Sequence, residues 1–150
     1  MKLLSLLRDC FTKNYCKFSG RMGRRDFWVL AGCALVVDLI FYAFIKQLHI
    51  SRLVWFVIGG YQFLPLLSAS IRRYHDVGYA GKLVFQNLLF ILITLGFYYQ
   101  YRADVQNYWH YCFYVLFALS MLYLILNIVL LSLKGSAKTN RYGVPPVHGI

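Results

Sequence analysis

The chain has 150 residues, 60% hydrophobic and only 14% charged, with sixteen Lys and Arg against five Asp, no Glu, and a net charge of +11. Soluble domains carry about 25% charged residues, and this composition cannot supply the polar skin that a soluble body of such a size needs. A basic excess can mark a nucleic-acid binder, but no nucleic-acid recognition motif is present, so no nucleic-acid partner is expected.

The N-terminus reads Met1-Lys2-Leu3-Leu4-Ser5-Leu6-Leu7, and its apolar stretch is broken at Arg8 and Asp9. That is too short for a secretory signal, and the segment is expected to be retained. Leu3, Leu4, Leu7, Cys10 and Phe11 share one helical face, with Lys2, Arg8, Asp9 and Lys13 on the other. Such a helix either lies in the surface of the inner leaflet or tucks beneath a bundle.

Four apolar runs follow, at 27–45, 53–71, 83–99 and 112–133, each close to the ~20 residues that cross the hydrocarbon as a helix. Trp28, Trp55, Tyr98, Tyr99, Tyr101, Tyr108 and Trp109 flank them as an aromatic belt would. Residues 1–26, 72–82 and 134–150 hold thirteen of the basic side chains, and the two other connections hold three, Lys46 with Arg52 and Arg102. The positive-inside rule then puts both termini and the 72–82 connection in the cytoplasm. The expectation is an all-α membrane protein: one domain over 1–150, with four transmembrane helices, a short amphipathic helix before them and a cytoplasmic tail.

Only Cys112 falls near the outer face, so Cys10, Cys16, Cys33 and Cys112 are expected as reduced, packed thiols. Asp38 lies eleven residues into the first run, about 16 Å along it. A carboxyl there must face the bundle and find a partner, and Gln62, at similar depth, is the first choice. This pair could serve a small transporter or lipid-handling protein, or simply join two helices. Gln86, Asn87 and Asn127 are expected to tie helices together nearer the cytoplasm. Gly59, Gly60 and Pro65 allow close approach or a kink in the second run.

Three polar clusters fall on the cytoplasmic side: Gly20 to Trp28, Arg72 to Gly81, and Lys134-Gly135 with Thr139 to Pro146. Gly78 and Gly81 suit a sharp loop, Asp76 a cap on a following turn, and Tyr142-Gly143 a rigid turn holding the tail. Arginine forks bind phosphate or carboxylate well. One reading is therefore a pocket for an anionic group built from Arg21, Arg24, Arg72, Arg73, His75, Asp76, Asn140, Arg141 and Tyr142. The bland reading is that these arginines set topology and touch lipid head groups. A third is that Asp26 and Asp76 pair with them and lock the loops together. His75-Asp76 could orient a base or bind a metal, but only Asp9, Asp26 and the distant His148 could join them, and no catalytic motif is present. No cofactor, metal or catalytic residue is expected, and the sequence does not point to an enzyme.

The clusters resemble the domain-of-unknown-function 805 family of bacterial inner-membrane proteins. Gly20, Arg21, Arg24, Phe27 and Trp28 match its G-R-x-x-R-x-x-[FY]-W entry to the first helix. Arg72, Arg73, His75, Asp76, Gly78 and Gly81 match R-R-x-H-D-x-G-x-x-G, and Gly135, Asn140, Arg141, Tyr142, Gly143 and Pro146 match G…N-R-Y-G-x-x-P. Tyr74, Ala80 and Lys82 depart from the usual pattern and read as surface changes. The resemblance implies a multi-pass protein of the bacterial plasma membrane and supplies no activity. The leading expectation is a non-catalytic membrane protein whose basic cytoplasmic face binds an anionic lipid, ligand or partner, with a membrane-protein partner or a second copy as further candidates.

Overall fold

A computed structural model of the chain describes residues 3–48, 52–103 and 107–146. Its regular elements are helices: α1 (Leu3–Phe11), α2 (Arg24–Leu48), α3 (Arg52–Val77), α4 (Leu83–Ala103) and α5 (Asn107–Ser132). Among the described residues there is no strand, only an isolated bridge between Asn140 and Gly143. α4 packs most extensively on α5 and α2 on α3, with α3 meeting α5 and α1 meeting both α2 and α3.

The arrangement is inside out relative to a soluble bundle. Leu35, Leu39, Leu92, Val115 and Ile125 are more than half exposed, whereas Gln62, Ser68, Arg72, Arg73, His75, Asp76 and Asn127 are buried. Apolar side chains facing outward and polar ones facing inward are what a lipid surround selects. Arg24–Phe44 and Tyr111–Ser132 are long and apolar enough to cross a membrane, and Leu83–Tyr99 is a shorter apolar stretch.

The packed core lies at one end. Leu6 and Cys10 of α1, Met22, Phe27 and Leu30, and Ala69 form one cluster; Ile71, Tyr74 and Val84 form another. α1 therefore turns Leu6 and Cys10 inward, with Leu7 and Phe11 partly buried, and leaves Leu3 and Leu4 exposed. This splits the face expected from the sequence, because the helix packs into the wedge between α2 and α3. All four cysteines are free, but Cys16 and Cys112 are exposed instead of packed. Trp28, Tyr98 and Tyr99 are exposed. The side chains of Trp55, Asn87, Tyr101, Tyr108 and Trp109, and His148, lie outside the described residues.

Two expectations about the Arg72 to Gly81 cluster change. Arg72, Arg73, His75 and Asp76 are the last turns of α3, not a loop. The helix outruns its apolar stretch because its polar side chains find partners on neighbouring segments. It ends at Gly78, whose φ of 95° is left-handed, with Tyr79 N donating to Tyr74 O at 2.9 Å and Gly78 N to His75 O at 3.2 Å. These are the two bonds of a Schellman stop. Gly81 serves closeness instead: a Cβ there would lie 2.5 Å from Ile71 Cγ2 and 3.1 Å from His75 Nε2. Tyr74, read as a surface change, is only 1% exposed, and its hydroxyl donates to Asn127 Oδ1.

Candidate functional site

The three polar clusters converge on the carboxylate of Asp76. Arg21 donates to Oδ1 through Nε at 2.9 Å and Nη2 at 2.8 Å, and Arg73 donates to Oδ2 through Nη1. Side-chain exposure is 1% for Arg21 and 0% for Arg73 and Asp76, so this triad is closed to solvent. Asp76 does not cap a following turn, because both of its oxygens are occupied by guanidinium groups. Its own carbonyl accepts from Ser136 N at 2.9 Å.

Two buried cations against one anion need further acceptors, and the end of α5 with the tail provides them. Arg73 Nε donates to Leu131 O at 2.9 Å, and Nη2 donates to Leu133 O. Arg24 Nη1 reaches Ser132 O at 3.3 Å. The last carbonyls of a helix have no intrahelical donors and carry partial negative charge, which suits a cation there. Arg21 continues outward to Ser136 O, to Lys138 O at 2.9 Å and to Gly143 O at 3.3 Å. Burial lowers the pKa of Arg73, and Asp76 pushes it back up.

Gly135 has a steric role here. A Cβ at this position would overlap the Asp76 carboxylate. The tail then turns through residues 140–143, where Gly143 N donates to Asn140 O at 2.9 Å and Tyr142 N to Asn140 Oδ1 at 2.9 Å. Asn140 Nδ2 donates to His75 O at 2.9 Å, which docks the turn on the end of α3.

His75 is also held from two sides. Its Nδ1 lies 3.1 Å from Gly20 O, and because a carbonyl only accepts, Nδ1 carries the proton. The ring stacks on Tyr142 at 3.7 Å and 6°, and the Arg141 guanidinium lies 4.7 Å from the centre of the Tyr142 ring. Burial pulls the His75 pKa down, the Gly20 carbonyl opposes this, and Arg141 adds to it.

The residues expected to form an anion pocket thus fall into separate groups. Arg21, Arg73, His75, Asp76, Asn140 and Tyr142 are brought together and bind one another. Arg24 and Arg141 are exposed beside them. Arg72 stands apart: Nε bonds Ser68 O at 3.3 Å, and the side chain also meets Cys10. Asp38 and Gln62 lie elsewhere, on α2 and α3, with Gln62 Nε2 donating to Asp38 Oδ1 at 3.1 Å. Asn127 Nδ2 donates to Tyr123 O at 2.7 Å and Tyr123 OH to Gln86 Oε1 at 2.9 Å, extending the Tyr74 contact across α3, α5 and α4.

Sequence reasoning missed the backbone carbonyls of Leu131, Leu133, Ser136 and Lys138, which no motif marks. It also missed Tyr15, whose hydroxyl donates to Tyr61 O at 2.9 Å. Here a signal existed: Pro65 has no N–H, so the carbonyl four residues earlier in α3 needs another donor. Among the described residues, no three His, Cys, Asp or Glu side chains are grouped to hold a metal.

Residues 15–144 match the family described as "Protein of unknown function (DUF805)". The chain is 27% identical over 139 residues to the protein named "Inner membrane protein YhaI" from Escherichia coli K12, covering 91% of this chain and 92% of YhaI. The same figures hold for YhaI of Escherichia coli O157:H7. No solved structure matches. The converging clusters are the segments that carry the family resemblance, and with the outward-facing apolar helices they agree with these relatives: the chain is an inner-membrane protein that belongs to the DUF805 family.

Proposed function

We propose that the chain is a non-catalytic protein with four spans and cytoplasmic termini, whose basic cytoplasmic face binds an anionic group, a phosphate-bearing lipid head group first of all. The whole chain then forms one transmembrane domain, with spans near 27–45, 53–71, 83–99 and 112–133 and a tail over 134–150. The thirteen-to-three division of basic residues supports this orientation.

One observation carries the binding proposal, the division of the cations into two sets. Arg21 and Arg73 are enclosed and consume Asp76, while Arg24, Arg25, Lys134, Lys138 and Arg141 remain exposed. With Asp76 spent inside, Asp26 is the one carboxylate left in the three clusters against these five exposed cations, so most of their counter-charge has to come from outside. Anionic head groups supply it at that level of the membrane.

The test is native mass spectrometry of the protein ejected from native lipid particles, beside an R24A/R25A/R141A variant. Retention of a defined anionic lipid by the wild type and its loss from the variant support the proposal. A retained small ligand or acidic protein lost from the variant keeps the basic face and changes the bound class. Identical heterogeneous lipids on both refute it and leave these arginines as topology signals.

The contact between Asp38 and Gln62 favours a second reading, a small transporter or lipid-handling protein that uses this intramembrane pair. That reading requires D38N to abolish transport while the arginine variant retains it.

A further inference from the structure

α1 and the turn that follows it lie against α3 at an unexpected level. Tyr15 OH bonds Tyr61 O, the Phe11 and Tyr61 rings stack at 5.7 Å, and the Tyr15 and Tyr61 rings lie 5.3 Å apart. Ser68 Oγ lies 3.2 Å from Asn14 O and 3.1 Å from Pro65 O. Tyr61 is eleven residues before Arg72 on one continuous helix, about 16 Å at 1.5 Å per residue. Half of a hydrocarbon layer is about 15 Å.

From this depth we infer that α1 and residues 12–18 form an in-plane anchor wedged into the inner leaflet, with anionic lipid around their outer face. The inference rests on reading α3 as a membrane span. Anything beside the Tyr61 to Ser68 stretch of such a span is surrounded by acyl chains, glycerol and head groups. The outer face has the matching chemistry. Leu3, Leu4 and Phe18 are 51%, 80% and 42% exposed, and Arg8, Lys13 and Lys17 are exposed beside them. Long basic side chains carry their charge back to the phosphate level while their stems stay in the apolar layer, and they pair there with anionic lipid.

Pro65 explains why the anchor attaches at this point. Proline leaves the carbonyl four residues earlier without its helical donor, and an unpaired carbonyl within a bilayer is costly. Tyr15 supplies the missing donor to Tyr61 O. The kink-prone site in α3 and the anchor therefore complete each other.

The test uses the full chain, isotope-labelled, in nanodiscs of phosphatidylethanolamine and phosphatidylglycerol. Amide broadening by a lipid with a nitroxide on its acyl chain is compared with broadening by a water-soluble gadolinium chelate. Leu4, Phe11 and Phe18 should be broadened severalfold more by the lipid probe, and so should Leu92 of α4 and Val129 of α5. In nanodiscs of phosphatidylcholine alone, the lipid broadening at Leu4 should decrease. If the chelate broadens Leu4 and Phe18 as it does Val144 in the tail, while Leu92 and Val129 stay lipid-facing, the anchor is refuted and the spans stand. If the chelate also reaches Leu92 and Val129, the spanning premise fails and the anchor fails with it.

Discussion

Arg21 and Asp76 are 55 residues apart and share a single carboxylate oxygen, Oδ1, which accepts from both Nε and Nη2 of the guanidinium. The other oxygen is thereby left for Arg73. Each arginine then spends its remaining donors on backbone carbonyls at the end of α5 and in the tail. The N-terminal loop, α3 and the tail are fastened by one side chain.

Removing that side chain should be severe. D76A leaves two enclosed guanidinium groups without their anion, and breaking a buried pair from one side costs about 3–5 kcal/mol. The exposed R25A change should stay within about 0.5 kcal/mol. Unfolding in mixed micelles by titration with denaturing detergent measures both, and equal midpoints for D76A and wild type would remove the central brace from this account.

Two glycines make a matched pair. G135A drives a methyl group into the Asp76 carboxylate and should destabilise by about 1–3 kcal/mol, the usual cost of overpacking. G96A, on α4, meets nothing within 4 Å and should be neutral or gain up to about 1 kcal/mol from better helix propensity. A loss for G135A beside no loss or a gain for G96A in the same unfolding assay is the expected result.

His75 gives the fold an acid limit. Burial depresses its folded pKa below the ordinary 6.5, so the folded state resists the proton that the unfolded chain accepts. The stability contributed is complete above about pH 6.5 and is lost as pH falls below that value and through the folded pKa. Unfolding midpoints should therefore fall on acidification just below pH 6.5 in the wild type, and that limb should be absent from H75Q.

A double-mutant cycle examines the Tyr15 bond. Y15F strips the donor from Tyr61 O and should lower the unfolding midpoint. P65A restores a backbone N–H to the same carbonyl, so Y15F should cost less in the P65A background. Equal costs in both backgrounds would mean that the hydroxyl is not standing in for the missing amide.

Within the membrane, D38L leaves Gln62 without its acceptor. Interhelical hydrogen bonds of this kind average about 0.6 kcal/mol, so a small loss is expected, and D38N should restore most of it.

The apolar runs locate α2 to α5 because a lipid surround demands long uninterrupted hydrophobic stretches. The true helix ends were less legible. α3 continues to Val77 because Arg73 and Asp76 have partners 55 to 60 residues away in the chain, and no local pattern encodes such partners. The motifs showed which residues gather, yet not that Arg21 and Arg73 would turn inward, since the decisive acceptors are carbonyls of ordinary residues such as Leu131 and Leu133. The choice of Leu6 over Leu4 as the inward residue of α1 likewise depends on the wedge between α2 and α3, which a single helix's periodicity cannot reveal.

The carbonyls that complete Arg21 and Arg73, from Leu131 to Gly143, are synthesised well after α3 and its Asp76. During insertion, both guanidinium groups must remain at the water's edge until α5 and the tail have left the ribosome. Closure of the Asp76 cluster thus waits for the tail, and a chain halted before Gly135 would hold Arg73 on Asp76, Leu131 O and Leu133 O but would lack the Ser136, Lys138 and Gly143 carbonyls that complete Arg21.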